Sequence, residues 1–181
     1  MNGEDVALAA EKRWAIVVSA IILAIVVSMV VTGLHWAAMP PSRVETVDPR
    51  TLHLAGEFVE SNLGTAVGAD GKVTVRVVAQ QYSFQPACVV VPADVPVTFR
   101  ATSSDVIHGF VVTGTNANTM LIPGFVATFT TTFRRPGDHA MPCHEYCGTG
   151  HEGMWARVQV IPANDFRTRA GRGQRLDCVR R

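Results

Sequence analysis

The sequence of 181 residues carries little charge for its length. Asp, Glu, Lys and Arg make up 17% of it, against roughly 25% in ordinary soluble domains. Its 16 basic and 15 acidic residues nearly cancel, so no excess of positive charge favours binding to nucleic acid. The hydrophobic fraction of 48% excludes a disordered chain. We therefore expect part of the chain to lie outside water.

Cysteine is also scarce. Four cysteines are too few for a fold of this length that is held together by disulfides, so their positions matter more than their number. Cys143 and Cys147 lie close together, whereas Cys88 and Cys178 are far apart in the sequence. Cys88 precedes three valines and is predicted to be a buried free thiol. A disulfide between Cys88 and Cys178 is an alternative that nothing in the sequence supports.

The low content of charged residues is largely due to one segment, because residues 14–42 contain no Asp, Glu, Lys or Arg. Residues 14–34 are mostly Val, Ile, Ala, Leu and Met, and as a helix they would extend roughly 31 Å, enough to cross a bilayer. Trp14 and Trp36 lie near the two ends, where interfacial aromatic residues are common. The alternative is a cleaved signal peptide, but its apolar stretch is usually about 7–15 residues. We predict an uncleaved single transmembrane helix over residues 14–38.

The flanking charges predict the orientation of this helix. Lys12 and Arg13 directly precede the apolar segment, and basic residues next to a transmembrane helix favour the cytoplasmic side. Residues 1–13 are therefore predicted to be a cytoplasmic tail, which places the rest of the chain on the outer face of the cell membrane.

Residues 39–71 are predicted to be a linker. Pro40 and Pro41 would stop the transmembrane helix, because proline lacks the amide proton that the helix needs. Between Arg50 and Leu63 the apolar residues recur at loosely helical spacing, which predicts a short amphipathic helix ended by Gly64. Its apolar face is expected to pack on the next domain, with the membrane surface as the alternative.

Residues 72–162 have the pattern of short β-strands. Apolar and polar residues alternate over 73–77, 95–100 and 155–161, and turn signals such as Gln85-Pro86 and Pro136-Gly137 separate the segments. The pattern predicts a mainly β sandwich or barrel of about 90 residues. Residues 163–181 contain six Arg and two Asp, which predicts a solvated end. Contact with anionic lipid or an acidic partner is the alternative for this tail.

One segment of the predicted β-domain concentrates soft metal ligands, and glycines between them allow it to curl around a centre. Zinc binds Cys and His readily, but a thioether is a poor zinc ligand. Thiolate, imidazole and thioether together are typical of copper sites. The two thiols are close enough to face one point, so they could bridge two copper ions. The donors in this segment are Cys143, Cys147, His151 and Met154.

A second histidine must come from elsewhere, and His108 is the candidate. It lies at the start of the apolar strand that contains residues 110–112 and would ordinarily be read as a core residue. The presence of the cysteine segment in the same β-domain favours a ligand role instead.

The pattern Cys-x-Glu-x-Cys-x-x-x-His-x-x-Met, preceded by the segment Asp-Val-Ile-His-Gly-Phe, resembles the dinuclear copper (CuA) site of cytochrome c oxidase subunit II. The resemblance covers roughly residues 14–161. Segments 82–86 and 114–116 and the single anchor helix resemble the B-type haem–copper oxidases in particular. The family implies a cupredoxin-like Greek-key fold for residues 72–162.

The resemblance also implies a ligand set. Cys143 and Cys147 would bridge both coppers. His108 and Met154 would complete one ion, while His151 and the backbone carbonyl of Glu145 would complete the other. The side chain of Glu145 is a candidate ligand for magnesium, since A-type relatives have an acid there that holds this ion. Tyr82 matches the exposed aromatic position through which electrons enter the copper site.

The function that the resemblance implies is electron transfer in a terminal respiratory oxidase. The copper centre would accept electrons from cytochrome c, or a similar small redox protein, and pass them to haem in subunit I. Oxygen reduction and proton translocation would belong to subunit I. Besides these protein partners, the chain would contact membrane lipid.

Two other functions keep the copper but not this role. A membrane-anchored copper carrier or sensor is the main alternative, although carriers favour open and exchangeable sites. The copper domain of nitrous oxide reductase is a second, but the large catalytic domain expected with it is missing from this sequence. His139 and His144 lie near the candidate ligands without matching a ligand position, and we expect them to be outer-shell or surface residues.

Overall fold

The structure is a computed structural model that describes residues 3–35 and 44–171, together with Leu176 and Cys178. The chain forms two compact units, Met1–Arg43 and Val44–Arg181. The first contains one helix, α1, which spans Gly3–His35. Because Glu4 and Asp5 lie in its first turn, their carboxylates oppose the positive end of the helix dipole.

Helix α1 is long and apolar enough to cross a bilayer. Large apolar side chains such as Ile16, Leu23 and Met29 are exposed along it. The helix begins earlier than predicted and includes most of the segment expected to be an N-terminal tail. The predicted interfacial Trp36 and the helix stop at Pro40 and Pro41 lie outside the described residues.

The second unit is mainly β. Ten strands are described, and a second helix, α2, follows them at Ala163–Gly171. The strands are β1 Gly64–Val67, β2 Val73–Gln80, β3 Ser83–Gln85, β4 Cys88–Pro92, β5 Pro96–Ser103, β6 His108–Val111, β7 Asn118–Leu121, β8 Ala127–Thr132, β9 Gly137–Pro142 and β10 Trp155–Ile161. The prediction of a mainly β domain and an apolar N-terminal helix is confirmed.

The strands form two sheets and a hairpin. One sheet has the order β1-β2-β5-β8, with β3 paired to the end of β2, and the other has the order β4-β10-β9. Each sheet contains one parallel pair, β2 with β5 and β4 with β10, which requires crossover connections between the sheets. Strands β6 and β7 form the hairpin that carries His108.

The core lies between the sheets. Alternate residues of β2, such as Val75 and Val77, are fully buried, as are Val158 of β10 and Phe99 of β5. Phe110 from the hairpin contacts the ring of Phe99 edge-on at 5.9 Å between centroids. The second predicted histidine, two positions before Phe110, is thereby attached to the rigid core.

Residues 44–63, here called the strap, differ from the predicted linker helix. They contain turns and a short 3-10 helix at Glu60–Asn62. Gly56 adopts φ +92°, which no residue of an α-helix adopts, so the loosely helical spacing does not produce a helix. The apolar residues do pack as expected, because Leu52 and Phe58 are buried against Val78.

The strap is fastened to the first sheet by hydrogen bonds and ion pairs. Val126 N–H donates to the carbonyl of Glu45 at 2.9 Å. The carboxylate of Glu57 accepts from Arg76 Nε at 2.9 Å and from Arg100 Nε at 2.5 Å. Arg100 Nη2 also donates to Glu45 at 2.5 Å. Because Arg76 and Arg100 are side by side in the register of β2 and β5, Glu57 between them offsets the repulsion of two like charges.

The C-terminal segment is not the solvated end that its arginines predicted, at least in its described part. Helix α2 buries Phe166 in the main core, and Leu176 is buried there as well. Cys178 forms a disulfide with Cys88, the first residue of β4, with 6.0 Å between their Cα atoms. The prediction of a free thiol at Cys88 was therefore wrong. The pairing joins residues 90 positions apart, and no local pattern indicates it.

Candidate metal centre

The soft-ligand segment forms a loop between β9 and β10. Pro142 and Trp155 are opposite each other in the ladder of these strands, so the loop ends are held together. Within it, Cys143 N–H donates to the carbonyl of Met154 at 3.0 Å. A 3-10 helix at His151–Gly153 turns the chain back towards β10. The first and last candidate ligands of the loop therefore start from adjacent backbone positions.

Three sulfur atoms meet inside this loop. The Sγ atoms of Cys143 and Cys147 lie 3.9 Å apart, and Cys147 Sγ lies 3.7 Å from Met154 Sδ. All three side chains are buried. The pKa of Cys147 is raised to about 11, mainly by burial and secondly by the neighbouring thiol of Cys143. A thiolate at this place thus needs a cation beside it, as a metal site would supply.

Two histidines face the sulfurs with their Nδ1 atoms. Nδ1 of His108 lies 3.9 Å from Cys143 Sγ, and Nδ1 of His151 lies 3.6 Å from Cys147 Sγ. The donor atoms of His108, Cys143 and Cys147 all fall within 4.8 Å of one another. His108 is fully buried, whereas His151 is partly exposed. The backbone carbonyl of Glu145 completes the group, 3.1 Å from Cys143 Sγ.

Sequence reasoning assigned no role to Asp105, which orients His108. Its carboxylate accepts a hydrogen bond from His108 Nε2 at 2.8 Å, so the ring keeps Nδ1 free to face the sulfurs. Burial by itself would raise the pKa of Asp105. Hydrogen bonds from the amide of Gln81, from His108 and from the amide of Val106 outweigh it and hold that pKa below its usual range. Asp105 is thus an ionised carboxylate behind a buried imidazole.

The aromatic ring of Tyr82 lies directly against the ligand loop. A Cβ added to Gly148 would be 2.5 Å from the Tyr82 hydroxyl, and one added to Gly150 would be 2.7 Å from the ring. The hydroxyl also lies 3.3 Å from Thr149 Oγ1. These glycines therefore allow a close approach that a side chain would block. Tyr82 remains 37% exposed, so its ring connects the loop with the surface.

The other residues near the site have separate positions. The Glu145 side chain is exposed, as is that of His144. His144 lies over Gly109, where an added Cβ would be 2.5 Å from its Nδ1. His139 Nδ1 bonds to the carbonyl of Thr113 at 2.6 Å, and its ring packs against that of Phe133. The structure thus gathers all the predicted copper ligands into one place and leaves these two histidines outside it.

The sequence missed Gln81 as well as Asp105. The Gln81 side chain donates to the carbonyl of Cys147 at 2.5 Å, and its amide N–H donates to Asp105 Oδ2 at 2.7 Å. Asp105 lies in the segment that carries the family resemblance, which was the available signal for it. Nothing in the sequence connects position 81 with position 147, because only the folding of the sheet brings them together.

The fold is a β-domain of the cupredoxin-like class, and its donor set is a cluster of soft ligands that could hold a metal. A family model described as the periplasmic domain of cytochrome c oxidase subunit II matches residues 75–161. A cytochrome c oxidase subunit 2 of Thermus thermophilus is 36% identical over 156 residues, which cover 84% of this chain and 92% of that protein. The chain therefore belongs to the cytochrome c oxidase subunit II family.

Two further comparisons agree with this assignment. A second cytochrome c oxidase subunit 2 sequence from Thermus thermophilus is 38% identical over 122 residues, covering 67% of this chain and 90% of that one. A chain of a heme-copper terminal oxidase dimer, determined by cryo-EM, superimposes with a TM-score of 0.53 at 26% identity. That match covers 84% of this chain and 99% of the other.

Proposed function

We propose that the chain is the electron-accepting subunit of a terminal oxidase and that its β9–β10 loop, together with His108 of β6, holds a dinuclear copper centre of the CuA type. One observation carries the proposal. Of the donors implied for the first ion, His108 lies near Cys143 and Met154 near Cys147. Of those implied for the second, the Glu145 carbonyl lies near Cys143 and His151 near Cys147. Each set thus reaches both sulfurs, as two ions that share two bridging thiolates require.

The chemical character of the donors supports copper over zinc. A buried thioether, two thiols and two imidazoles suit soft or borderline copper, whereas structural zinc sites favour four Cys or His ligands. Copper bound there would exchange one electron at a time, shared between two ions so that each changes little in geometry. The protein would contribute the rigidity that keeps this change small.

The residues around the loop act by restricting movement. The β9–β10 ladder fixes the two ends of the loop, and Asp105 fixes the ring of His108 and its tautomer. Because Met154 and His108 are fully buried, water is kept from that side of the centre. Every donor comes from the chain itself, so the site is suited to relaying electrons rather than to binding a substrate.

Electrons would enter through Tyr82. Its ring lies against Gly148 and Gly150 of the ligand loop and is partly exposed. Tyr146 and Trp155 are also exposed aromatic residues on or next to the loop, which adds apolar area near the proposed entry point. Steering of a cytochrome by charge would be weak, and the bimolecular rate should fall only mildly between low and physiological salt.

Replacing Tyr82 with Ala tests this route. We expect a lower second-order rate of reduction by cytochrome c, with the copper spectrum unchanged. Phe125→Ala is the comparison variant, since Phe125 is an exposed aromatic residue outside the ligand loop and should leave the rate unchanged. Equal rates for wild type and Tyr82→Ala, or a steep dependence on salt, would exclude the proposed route.

The disulfide supports the proposed location on the outer face of the cell membrane. Disulfides persist mainly in extracytoplasmic compartments, and the Cys88–Cys178 bond lies in the β-domain. Helix α1 would anchor this domain with its N-terminus in the cytoplasm. The partners proposed are a haem-containing subunit I, where oxygen reduction and proton translocation would occur, and cytochrome c or a similar donor. The exposed carboxylate of Glu145 is proposed as a magnesium ligand at the contact with subunit I.

Purification of the full-length chain from its native membrane tests the function directly. An oxidase subunit should copurify with haem, and the complex should consume oxygen when it is given reduced cytochrome c. The alternative, a membrane-anchored copper carrier, predicts copper without haem and without oxygen consumption. That result would overturn the proposed function.

A further inference from the structure

Gln81 contacts both segments that carry the metal-site histidine and cysteines. It lies between β2 and β3. Its side-chain amide donates a hydrogen bond to the backbone carbonyl of Cys147 at 2.5 Å. Position 81 is therefore tied directly to one of the two bridging residues, across 66 positions of sequence.

The main chain of the same residue leads to the other side of the site. Gln81 N–H donates to Asp105 Oδ2 at 2.7 Å, while Asp105 Oδ1 accepts from Nε2 of the buried His108. A continuous path thus runs from the Cys147 carbonyl through residue 81 and Asp105 to His108. Loop β9–β10 and hairpin β6–β7 each position one part of the donor set, and residue 81 joins them.

The surroundings of this hydrogen bond restrict which residue can stand at position 148, next to Cys147. A Cβ added to Gly148 would lie 2.9 Å from Gln81 Nε2, so the amide reaches the carbonyl of Cys147 over a glycine. Gly148 itself has φ +136°, a conformation that L-residues rarely adopt. The peptide that follows Cys147 is therefore shaped to receive this amide.

We infer that Gln81 is a positioning residue of the metal centre, which fixes the Cys147 side of the site relative to the His108 side. This inference rests on the proposed function. Two bridged ions share an electron equally only while their surroundings remain balanced. The Gln81 side chain maintains this balance by holding the Cys147 backbone, without touching a metal itself.

The test compares Gln81→Leu with Gln80→Leu in the purified full-length chain. Leu keeps most of the side-chain volume but cannot donate a hydrogen bond. Gln80 is the matched control, because its side chain bonds instead to Ser83 Oγ at 3.5 Å. Copper affinity is measured by competition with a chelator, and the sharing of the electron is measured by the copper hyperfine pattern in electron paramagnetic resonance.

We expect Gln81→Leu to bind copper about tenfold more weakly, as is typical for loss of an outer-shell partner. Its hyperfine pattern should show two unequal copper nuclei, and its reduction potential should shift. Gln80→Leu should match the wild type in all three measurements. An unchanged affinity and spectrum for Gln81→Leu, or an equal change in both variants, would overturn the inference.

A measurement on copper-free protein separates this inference from the proposed function. Amide hydrogen exchange over residues 143–154 should be faster in Gln81→Leu than in Gln80→Leu, because the loop loses a bond that does not depend on metal. Failure of the wild type to bind two coppers would overturn the proposed function and leave this comparison standing. Equal exchange in the two variants would overturn the positioning role whatever the metal content.

Discussion

The β-domain contains two pairs of cysteines in contrasting situations. Cys88 and Cys178 are joined by a disulfide that attaches the C-terminal segment to β4. Cys143 and Cys147 are free, with sulfur atoms 3.9 Å apart and with histidine and methionine donors around them. The sulfurs of the first pair are bonded to each other, whereas those of the second pair are unbonded and surround a position that a metal can take. The free thiols and the donors around them therefore set the proposed ligand pair, Cys143 and Cys147, apart from the structural pair, Cys88 and Cys178.

Two clusters of ionisable side chains in the domain differ in a similar way: one contains its own charge partners and the other does not. In the strap cluster, Glu57 lies between Arg76 and Arg100, so each charge has an opposite charge beside it. Burial alone would raise the pKa of Glu57, but Arg100 and then Arg76 outweigh it and lower that pKa. In the sulfur cluster, which consists of Cys143, Cys147 and Met154, burial and the second thiol raise the pKa of Cys147 instead. The charges of the first cluster are compensated within the chain, whereas a thiolate in the second would need a cation beside it.

The largest effect is expected from Cys147→Ser. Loss of one bridging sulfur should abolish the dinuclear centre and leave at most one copper per chain. Copper content and the hyperfine pattern measure this outcome. Retention of two coppers with an equally shared electron would remove the distinction between the ligand pair and the structural pair.

The double variant Cys88→Ala and Cys178→Ala should change the stability of the domain and leave the copper centre intact. Breaking this cross-link should lower the free energy of unfolding by about 2–4 kcal/mol, since the bond closes a long loop. The copper spectrum should stay as in the wild type. Denaturant titration gives the stability, and a large spectral change would mean that the tail also shapes the metal site.

Glu57→Gln should have a smaller effect, confined to stability. It leaves two partly buried arginines without their shared carboxylate, at a cost of about 1–3 kcal/mol. The copper affinity should be unchanged. Unfolding of the copper-free chain monitors the first result, and chelator competition monitors the second.

The pH dependence of the stability difference between wild type and Glu57→Gln provides the control for this prediction. The pKa of Glu57 is lowered from 4.5 on folding, so its contribution is present above the unfolded-state value and is lost as the pH falls through the folded-state value. The stability difference between wild type and Glu57→Gln should therefore shrink as the pH falls below about 4.5. A constant difference over that range would show that the carboxylate charge is not what fastens the strap.

Met154→Leu should have the smallest effect. Leu has a similar volume, so the stability cost at this buried position should stay below about 1.5 kcal/mol. A weak axial ligand mainly adjusts the potential of a copper site, so two coppers should remain while the reduction potential changes. Voltammetry of the copper-loaded chain measures the shift. Loss of a copper would show that Met154 is an essential ligand.

The sequence was informative where a local pattern carries the chemistry. Strand β10 spans Trp155–Ile161, the segment whose alternation predicted it, and the spacing of Cys143 and Cys147 predicted that their thiols lie close together. It failed where folding joins distant segments. The Cys88–Cys178 bond and the contact of Gln81 with Cys147 span 90 and 66 positions, and no local periodicity encodes either.

The strap shows a different kind of failure. Its apolar spacing correctly indicated burial, and Leu52 and Phe58 are indeed in a core cluster. The spacing was too loose to specify a helix, and the positive φ of Gly56 together with the ion pairs of Glu57 selects an irregular path. Tertiary contacts therefore decided the local structure of this segment.

The most direct test of the central claim is the copper content of the full-length chain, purified in detergent and reconstituted with copper, together with its electron paramagnetic resonance spectrum. The geometry of the sulfur cluster predicts two coppers per chain and an unpaired electron coupled to two equivalent copper nuclei. A single copper with the hyperfine pattern of one nucleus would contradict the dinuclear assignment.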